Sequence, residues 1–380
     1  MTLPAISSQR SEQDLLNTIP AHSTSALLVN LKSIQRNFNF LQSCLTHGGC
    51  GAVVKANAYG LGAKPVTAAL IQAGCQHFFI AHLEEALELR SEFPDIRLYS
   101  LTGLLPGCEE IFTQYRVVPV LNDLHQIKRW HEHARALGRM LPAIIQFNTG
   151  MCRNGLDPKD TEKFLNIFAQ FDGIDVLFYM SHLVASETPS NAINTLQLEK
   201  LRHISSRLPQ KPVTFANSGG IFLGKDFHFD LARPGKALYG MHPVPGNDHL
   251  LTPALSVYAR VVQVSEYPAG ETVGYDHTYK LTRNSRLATV ALGYADGYLR
   301  SLSNRGLVYF QQYAAPVLGR ISMDYTIIDV TDVPPSFVHP GDWAEVVNPQ
   351  MTLSRIGDLA GTIARELMVH LDSRHHRLYL

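Results

Sequence analysis

The chain has 380 residues, enough for two domains with full-sized cores, since single domains usually run to roughly 100–200 residues and α/β barrels to about 250. Its 33 Lys+Arg balance 33 Asp+Glu, which removes any electrostatic drive toward nucleic acid or an anionic membrane and makes a small, roughly neutral ligand the better expectation. Five cysteines (Cys44, Cys50, Cys75, Cys108 and Cys152) lack C-x-x-C spacing, so they point to neither a disulfide framework nor a zinc ribbon and read as reduced thiols of a cytoplasmic protein.

The opening run MTLPAISSQRSEQDLL has no basic stretch followed by an apolar one, and no apolar run in the chain reaches membrane-spanning length. Residues 1–25 are expected to be a flexible arm. From 26 to 245, short β-rich runs alternate with longer amphipathic ones. The candidate strands are Ala52–Val54, His77–Ala81, Arg97–Thr102, Val117–Leu121, Ala143–Phe147, Val176–Ser181, Val213–Ala216 and Phe229–Arg233. Between them, HLEEALELRSEF (82–93) and NDLHQIKRWHEHARAL (122–137) space apolar residues at three and four, as exposed helices do. Eight strands with intervening helices predict a (β/α)8 barrel of the TIM type; a doubly wound sheet would give a similar alternation with one or two strands misread, although no G-x-G-x-x-G follows the first strand. In a barrel, active residues sit just past the strand C-termini, where Lys55, Arg153, His182 and Ser218 fall. After HPVPGND (242–248), a plausible linker, the texture of 246–380 changes to short strand-like runs with turn signals, as in a separate, mainly β domain.

Lys55 ends an apolar run, where an ammonium is costly unless paired or chemically used. It is either a solvated or ion-paired lysine or a Schiff-base lysine, which would require an aldehyde or ketone nearby. Two turns could hold an anion beside such a group: Ala216-Asn217-Ser218-Gly219-Gly220 and Arg233-Pro234-Gly235-Lys236. Each is by itself an ordinary Gly-bearing turn. At neighbouring late positions of a barrel, however, they resemble a phosphate site.

VVKANAYG, NTGMCRNG, SH at 181–182, ANSGG, RPGKALYG, VGYDHTY, LGYADG and GRISMD occur in the order and approximate spacing of the alanine racemases, which use pyridoxal 5'-phosphate (PLP). The resemblance spans about residues 26–377. It implies a PLP-binding barrel, a C-terminal β domain to which the first strand (near Ser25–Asn30) adds, and a homodimer with shared active sites. It further implies that Lys55 carries the cofactor and Tyr59 donates to its phosphate. Arg233 would face the pyridine nitrogen with His182 behind it, and Arg153 would orient the cofactor's phenolic oxygen and the substrate carboxylate. Asn217, Ser218, Gly235 and Lys236 belong to the cofactor turns. From the β domain, Tyr275 corresponds to the second base, Met323 to a backbone N–H donor to the substrate, and Tyr294 and Asp324 to supporting residues. No metal is implied.

The chain departs from the family pattern in four places. Gln146 stands where many members have a lysine that is carbamylated to hold the arginine equivalent to Arg153, so chloride or the Gln146 amide is expected to take over. Ser373 aligns with a tyrosine that donates to the phosphate. Leu61 replaces a common histidine, and Ser322 a common cysteine. The expected activity is two-base interconversion of L- and D-alanine, supplying D-alanine for the cell wall or catabolising alanine. The alternatives are a racemase of broader range that also acts on serine, and a non-enzymatic PLP-binding regulator. The presence of Tyr275 and Met323 favours an enzyme.

Overall fold

A computed structural model describes residues 12–244, 246–371 and 373–380. Its residues form two compact units, Asn30–Ala254 and a second one combining Leu255–Leu380 with the N-terminal residues through Val29. The expected arm falls partly outside the described residues, at 1–11. Its remainder starts with a helix at Glu12–Leu16, and Leu16 and Ile19 bury themselves with Ala26, Leu28 and Tyr258. Strand β1 (Ser25–Val29) is buried along its whole length, as its apolar run ALLV requires of a central strand.

The first unit is the barrel. Its strands are β2 (Gly49–Cys50), β3 (Ala52–Val53), β4 (His77–Ile80), β5 (Arg97–Ser100), β6 (Val117–Leu121), β7 (Leu141–Gln146), β8 (Ile174–Met180), β9 (Val213–Asn217) and β10 (Leu231–Arg233). All neighbours are parallel, in the order β2-β10-β9-β8-β7-β6-β5-β4-β3. Since β2 and β3 are one stave interrupted at Gly51, the sheet closes on itself with eight staves. Gly51 N donates to Ala232 O (2.8 Å) and Val53 N to Pro234 O (2.9 Å), while Val54 N reaches Phe79 O on the other side (2.9 Å). The interior is filled by Val53, Phe79, Tyr99, Val118, Val120, Ile144, Met180 and Leu231. This is the architecture expected from the sequence, and each of the eight expected strands is present. The two expected helices are found at Leu83–Arg90 and Leu124–Ala136.

The second unit is mainly β, as expected. It adds β11 (Leu255–Tyr267), β12 (Thr272–Val273), β13 (Tyr279–Lys280), β14 (Ser285–Val290), β15 (Leu307–Phe310), β16 (Tyr313–Pro316), β17 (Thr326–Asp329), β18 (Trp343–Val347) and β19 (His376–Tyr379). β1 lies between β11, antiparallel, and β19, parallel. The long β11 bends: its first half pairs with β1 and β18, and its second half with β14 after a register shift near Val261. Among the described residues no helix is long and apolar enough to cross a membrane.

One side chain fixes the connections below the early staves. Arg90, ending its helix, donates to five carbonyls: Phe93 (3.0 Å), Pro94 (2.7 Å), Ile96 (2.9 Å), Tyr115 (2.9 Å) and Arg116 (3.0 Å). Arg90→Ala strips all five carbonyls of a charged donor and should destabilise the protein by about 2–4 kcal/mol. Arg90→Lys should recover only part of this, because an ammonium lacks the fork. Urea-unfolding midpoints of the two variants check both expectations.

Candidate active site

Lys55 follows β3 after a single residue, Val54. The chain then runs through a left-handed turn, with φ of 52°, 54°, 52° and 56° at Ala56, Asn57, Ala58 and Tyr59. Left-handed backbone costs a non-glycine residue about 1–2 kcal/mol, so four in succession persist only where the surroundings over-determine them. Several bonds do so here. Ala58 N donates to Val54 O (2.8 Å), Gly60 N to Ala56 O (2.8 Å) and Gly62 N to Asn57 O (2.9 Å). The Asn57 side chain accepts from Ala63 N (2.7 Å) and Glu85 accepts from Ala56 N (2.6 Å). Leu61 is 0% exposed, so the replacement of histidine there places an apolar side chain in the core. Lys55 itself is half-buried.

The end of β10 holds Arg233, only 4% exposed. Its guanidinium donates to Thr214 Oγ1 (2.6 Å) and to Ser181 O (2.8 Å) and lies 5.9 Å from the centre of the Phe79 ring. Burial lowers its pKa to about 9, which still leaves it charged at neutral pH. His182 is pushed down to about 3, first by burial and then by the positive charges of Arg233, Arg153 and Lys55. One neutral imidazole therefore sits in the field of three cations contributed by three different staves. Among the described residues His182 makes no hydrogen bond to Arg233; the two are coupled through space.

The two Gly-bearing turns meet. Ser218 Oγ accepts from Gly235 N (3.0 Å) and Ala237 N (3.3 Å), clipping the turn after β9 to the turn after β10. A Cβ on Gly235 would come within 2.3 Å of the Tyr59 hydroxyl, so the tyrosine of the first stave's turn lies against the backbone of the last. The Tyr59 ring leans on Tyr239 (4.9 Å between centres), whose hydroxyl donates to Val53 O (2.9 Å). A phenol, a serine hydroxyl and glycine backbone are thus brought together as an anion cradle would need them. Asn217 is spent on structure: its Oδ1 accepts from Ser186 Oγ (2.8 Å) and Gly220 N (3.0 Å), and its Nδ2 donates to Leu183 O (3.2 Å). The Lys236 ammonium is ion-paired with Glu187 at 2.9 Å.

After β7, Asn148 Oδ1 accepts from Gly150 N and Cys152 N (3.0 Å each) and shapes the loop that carries the exposed Arg153. Thr149 shares a hydrogen bond with Ser181 Oγ (2.7 Å), tying this loop to the residue that holds Arg233. Gln146, 6% exposed, lies at the end of β7, two residues beyond the inward-facing Ile144 and therefore on the same face of the strand. Among the described residues its amide makes no hydrogen bond to Arg153.

In the β unit, Tyr275 follows Gly274 (φ 74°) and is 69% exposed. Its neighbours fix its loop: Asp276 is ion-paired with Arg320, and His277 is hydrogen-bonded to Thr272. Tyr275, Arg320, Ser322 and Tyr325 line a cleft of about 520 Å³. The LGYADG and GRISMD loops pack together through Tyr294 N to Ser322 O (3.2 Å) and Ala295 N to Met323 O (3.0 Å). Arg374 bridges Asp324 (2.9 Å) and Asp296 (3.2 Å), next to Ser373. Tyr294 and Met323 are exposed beside them. Thr214, Ser181, Tyr239 and Glu85 have roles here that the sequence motifs do not assign. Only Glu85 had a local signal, as the third residue of a helix after His82.

A closed barrel with a lysine past its first stave and two mutually bonded Gly-bearing turns after its last two, accompanied by a β unit, defines a class of barrel enzymes. Family models agree: "Alanine racemase, N-terminal domain" matches residues 29–243, and "Alanine racemase, C-terminal domain" matches 254–379. The chain is 41% identical over 368 residues to the alanine racemase of Brucella abortus, covering 93% of each chain. It is also 41% identical over 355 residues to a protein of Agrobacterium fabrum described as a catabolic alanine racemase, covering 93% of this chain and 92% of that one. Among solved structures, the Bartonella henselae alanine racemase with covalently bound pyridoxal phosphate superposes with a TM-score of 0.91 at 39% identity, covering 94% of this chain and all of that one (100%). The chain belongs to the alanine racemase family.

The His182 environment has a consequence for acid stability. Unfolded, the imidazole takes up a proton near pH 6.5, whereas folded it does so only near 3. Between these values the unfolded state binds the extra proton, so stability falls as pH drops from about 6.5 toward 3. His182→Gln should lack this part of the acid sensitivity. Urea midpoints of wild type and variant, compared at pH 7 and pH 4.5, check it: the gap should shift in favour of the variant at the lower pH.

Proposed function

We propose that this protein interconverts L- and D-alanine with pyridoxal 5'-phosphate as cofactor, acting as a homodimer with shared active sites. The observation that supports this most directly is the meeting of the first and last staves, where the turn that carries Lys55 lays the Tyr59 hydroxyl on Gly235 beside Ser218. These residues fit a phosphorylated aldehyde: an amine from Lys55, the hydroxyls of Tyr59 and Ser218 meeting at a glycine where a Cβ has no room, and a buried guanidinium.

When bound, the cofactor acidifies the α-C–H of an amino acid joined to it. Lys55 is anchored at its backbone, and its flexible stem carries Nζ to take or return the α-proton on one face. Tyr275 of the partner subunit does the same on the other face. Inversion requires a group on each side, because a single base would return the proton to the face it left. Arg233, still cationic at neutral pH, would disfavour protonation of a pyridine nitrogen held beside it, and neutral His182 adds no further charge. Proton return to the α-carbon is thereby favoured over transamination. Arg153 offers its fork to the substrate carboxylate, with the backbone N–H of Met323 of the partner subunit as a further donor. Chloride, or the Gln146 amide itself, would position Arg153, in the role a carbamylated lysine has in other members.

Three outcomes follow for the purified holoenzyme. Lys55→Ala should bind pyridoxal phosphate without forming a borohydride-stable bond, and a stable bond in that variant would falsify the role of Lys55. Tyr275→Phe should lose α-proton exchange from one enantiomer by roughly 100-fold or more and from the other far less, read as deuterium incorporation from solvent; equal small losses exclude the second-base role. Replacing chloride by gluconate should raise KM for alanine in wild type, and an unchanged KM would remove the anion from the mechanism. Initial rates across a panel of L-amino acids test alanine as the main substrate, a faster rate with serine pointing to the broader racemase.

A further inference from the structure

Among the described residues, one carboxylate spans two staves at the mouth of the barrel. Glu85 is the third residue after His82 at the start of the helix Leu83–Arg90. Its Oε2 reaches back to Ala81 N (2.7 Å) and His82 N (3.3 Å), as a capping carboxylate does. That task needs one oxygen. The other, Oε1, crosses to the neighbouring stave and accepts from Ala56 N at 2.6 Å. Ala56 N belongs to the peptide group that begins at the Lys55 carbonyl, so its orientation sets the backbone of Lys55. It also opens the left-handed turn, where the first N–H groups have no acceptor within the turn itself.

We infer that Glu85 is a positioning residue for Lys55, its carboxylate fixing the peptide after the lysine to the helix cap of the adjacent stave so that the amine returns to one place in each turnover. This rests on the role proposed for Lys55 above. A carboxylate suits the task because both oxygens accept and neither donates, and charge-assisted bonds of this kind are short and strong. An amide of the same shape turns one end into a donor facing an N–H, so it can serve one stave but not both. Glu85 has no assigned contact with substrate or cofactor; its influence is expected in the reacting step, where a displacement of about 1 Å costs up to roughly 100-fold.

The test compares Glu85→Gln and Glu85→Ala with wild type, using the full chain. In Glu85→Gln, amide exchange in the peptide spanning residues 54–60 should speed up about tenfold or more, while the peptide containing Ile144 exchanges as before. Borohydride-trapped attachment of pyridoxal phosphate to the apoprotein should slow by about tenfold or more, and kcat should fall similarly with KM within about twofold. Glu85→Ala should show larger effects in the same directions; if it does not fold, Glu85→Gln decides alone. Unchanged exchange at 54–60 together with an unchanged attachment rate overturns the inference, as does a rise in KM at constant kcat. If wild type itself forms no borohydride-stable bond, the reading of Lys55 fails instead, and the exchange at 54–60 still decides whether Glu85 holds the turn.

Discussion

Closure of the barrel at its first stave is the constraint from which the arrangement of the site follows. Gly51 and Val53 donate to the β10 side while Val54 donates to β4, so residues 49–54 are gripped from both edges. The chain that leaves this stave must clear the barrel mouth within a few residues. It does so by a left-handed turn rather than a longer loop, and the turn carries Lys55 at one end and Tyr59 at the other. Because β10 is the hydrogen-bonded neighbour of β2, the Tyr59 hydroxyl meets Gly235, and turns from opposite ends of the unit's sequence come together.

The same closure concentrates charge. Lys55, Arg153 and Arg233 come from separate staves, and together with burial they keep His182 neutral. Arg233 remains a cation despite burial because Thr214 and the Ser181 carbonyl accept from it and a guanidinium is hard to deprotonate. Ser181 is also bonded to Thr149 of the Arg153 loop. The loop that carries Arg153 and the strand end that carries Arg233 are therefore joined through Ser181.

Strain and its supports are distributed in the same way. The four left-handed residues are held by bonds within the turn, by Asn57 reaching forward to the next helix and by Glu85 reaching across from the next stave. In the β unit, Tyr275 likewise stands between Gly274 and two left-handed residues, Asp276 and His277, each tied by its side chain to a neighbouring segment. Lys55 and Tyr275 thus both sit on short strained turns whose neighbours are fixed.

The alternation of apolar runs and amphipathic segments was enough to read the eight staves, because buried parallel strands and their covering helices have distinct periods within a short window. The motifs likewise located Lys55, Arg153, His182, Ser218 and Arg233 at strand ends. What the sequence could not decide are relations between residues far apart in the chain: that Tyr59 rests on Gly235, that Thr214 and Ser181 hold Arg233, that Asn217 and Lys236 spend their side chains on Ser186 and Glu187, and that Glu85 reaches Ala56. A hydrogen bond depends on ångström-scale placement of two groups, and that placement exists only once the barrel has closed.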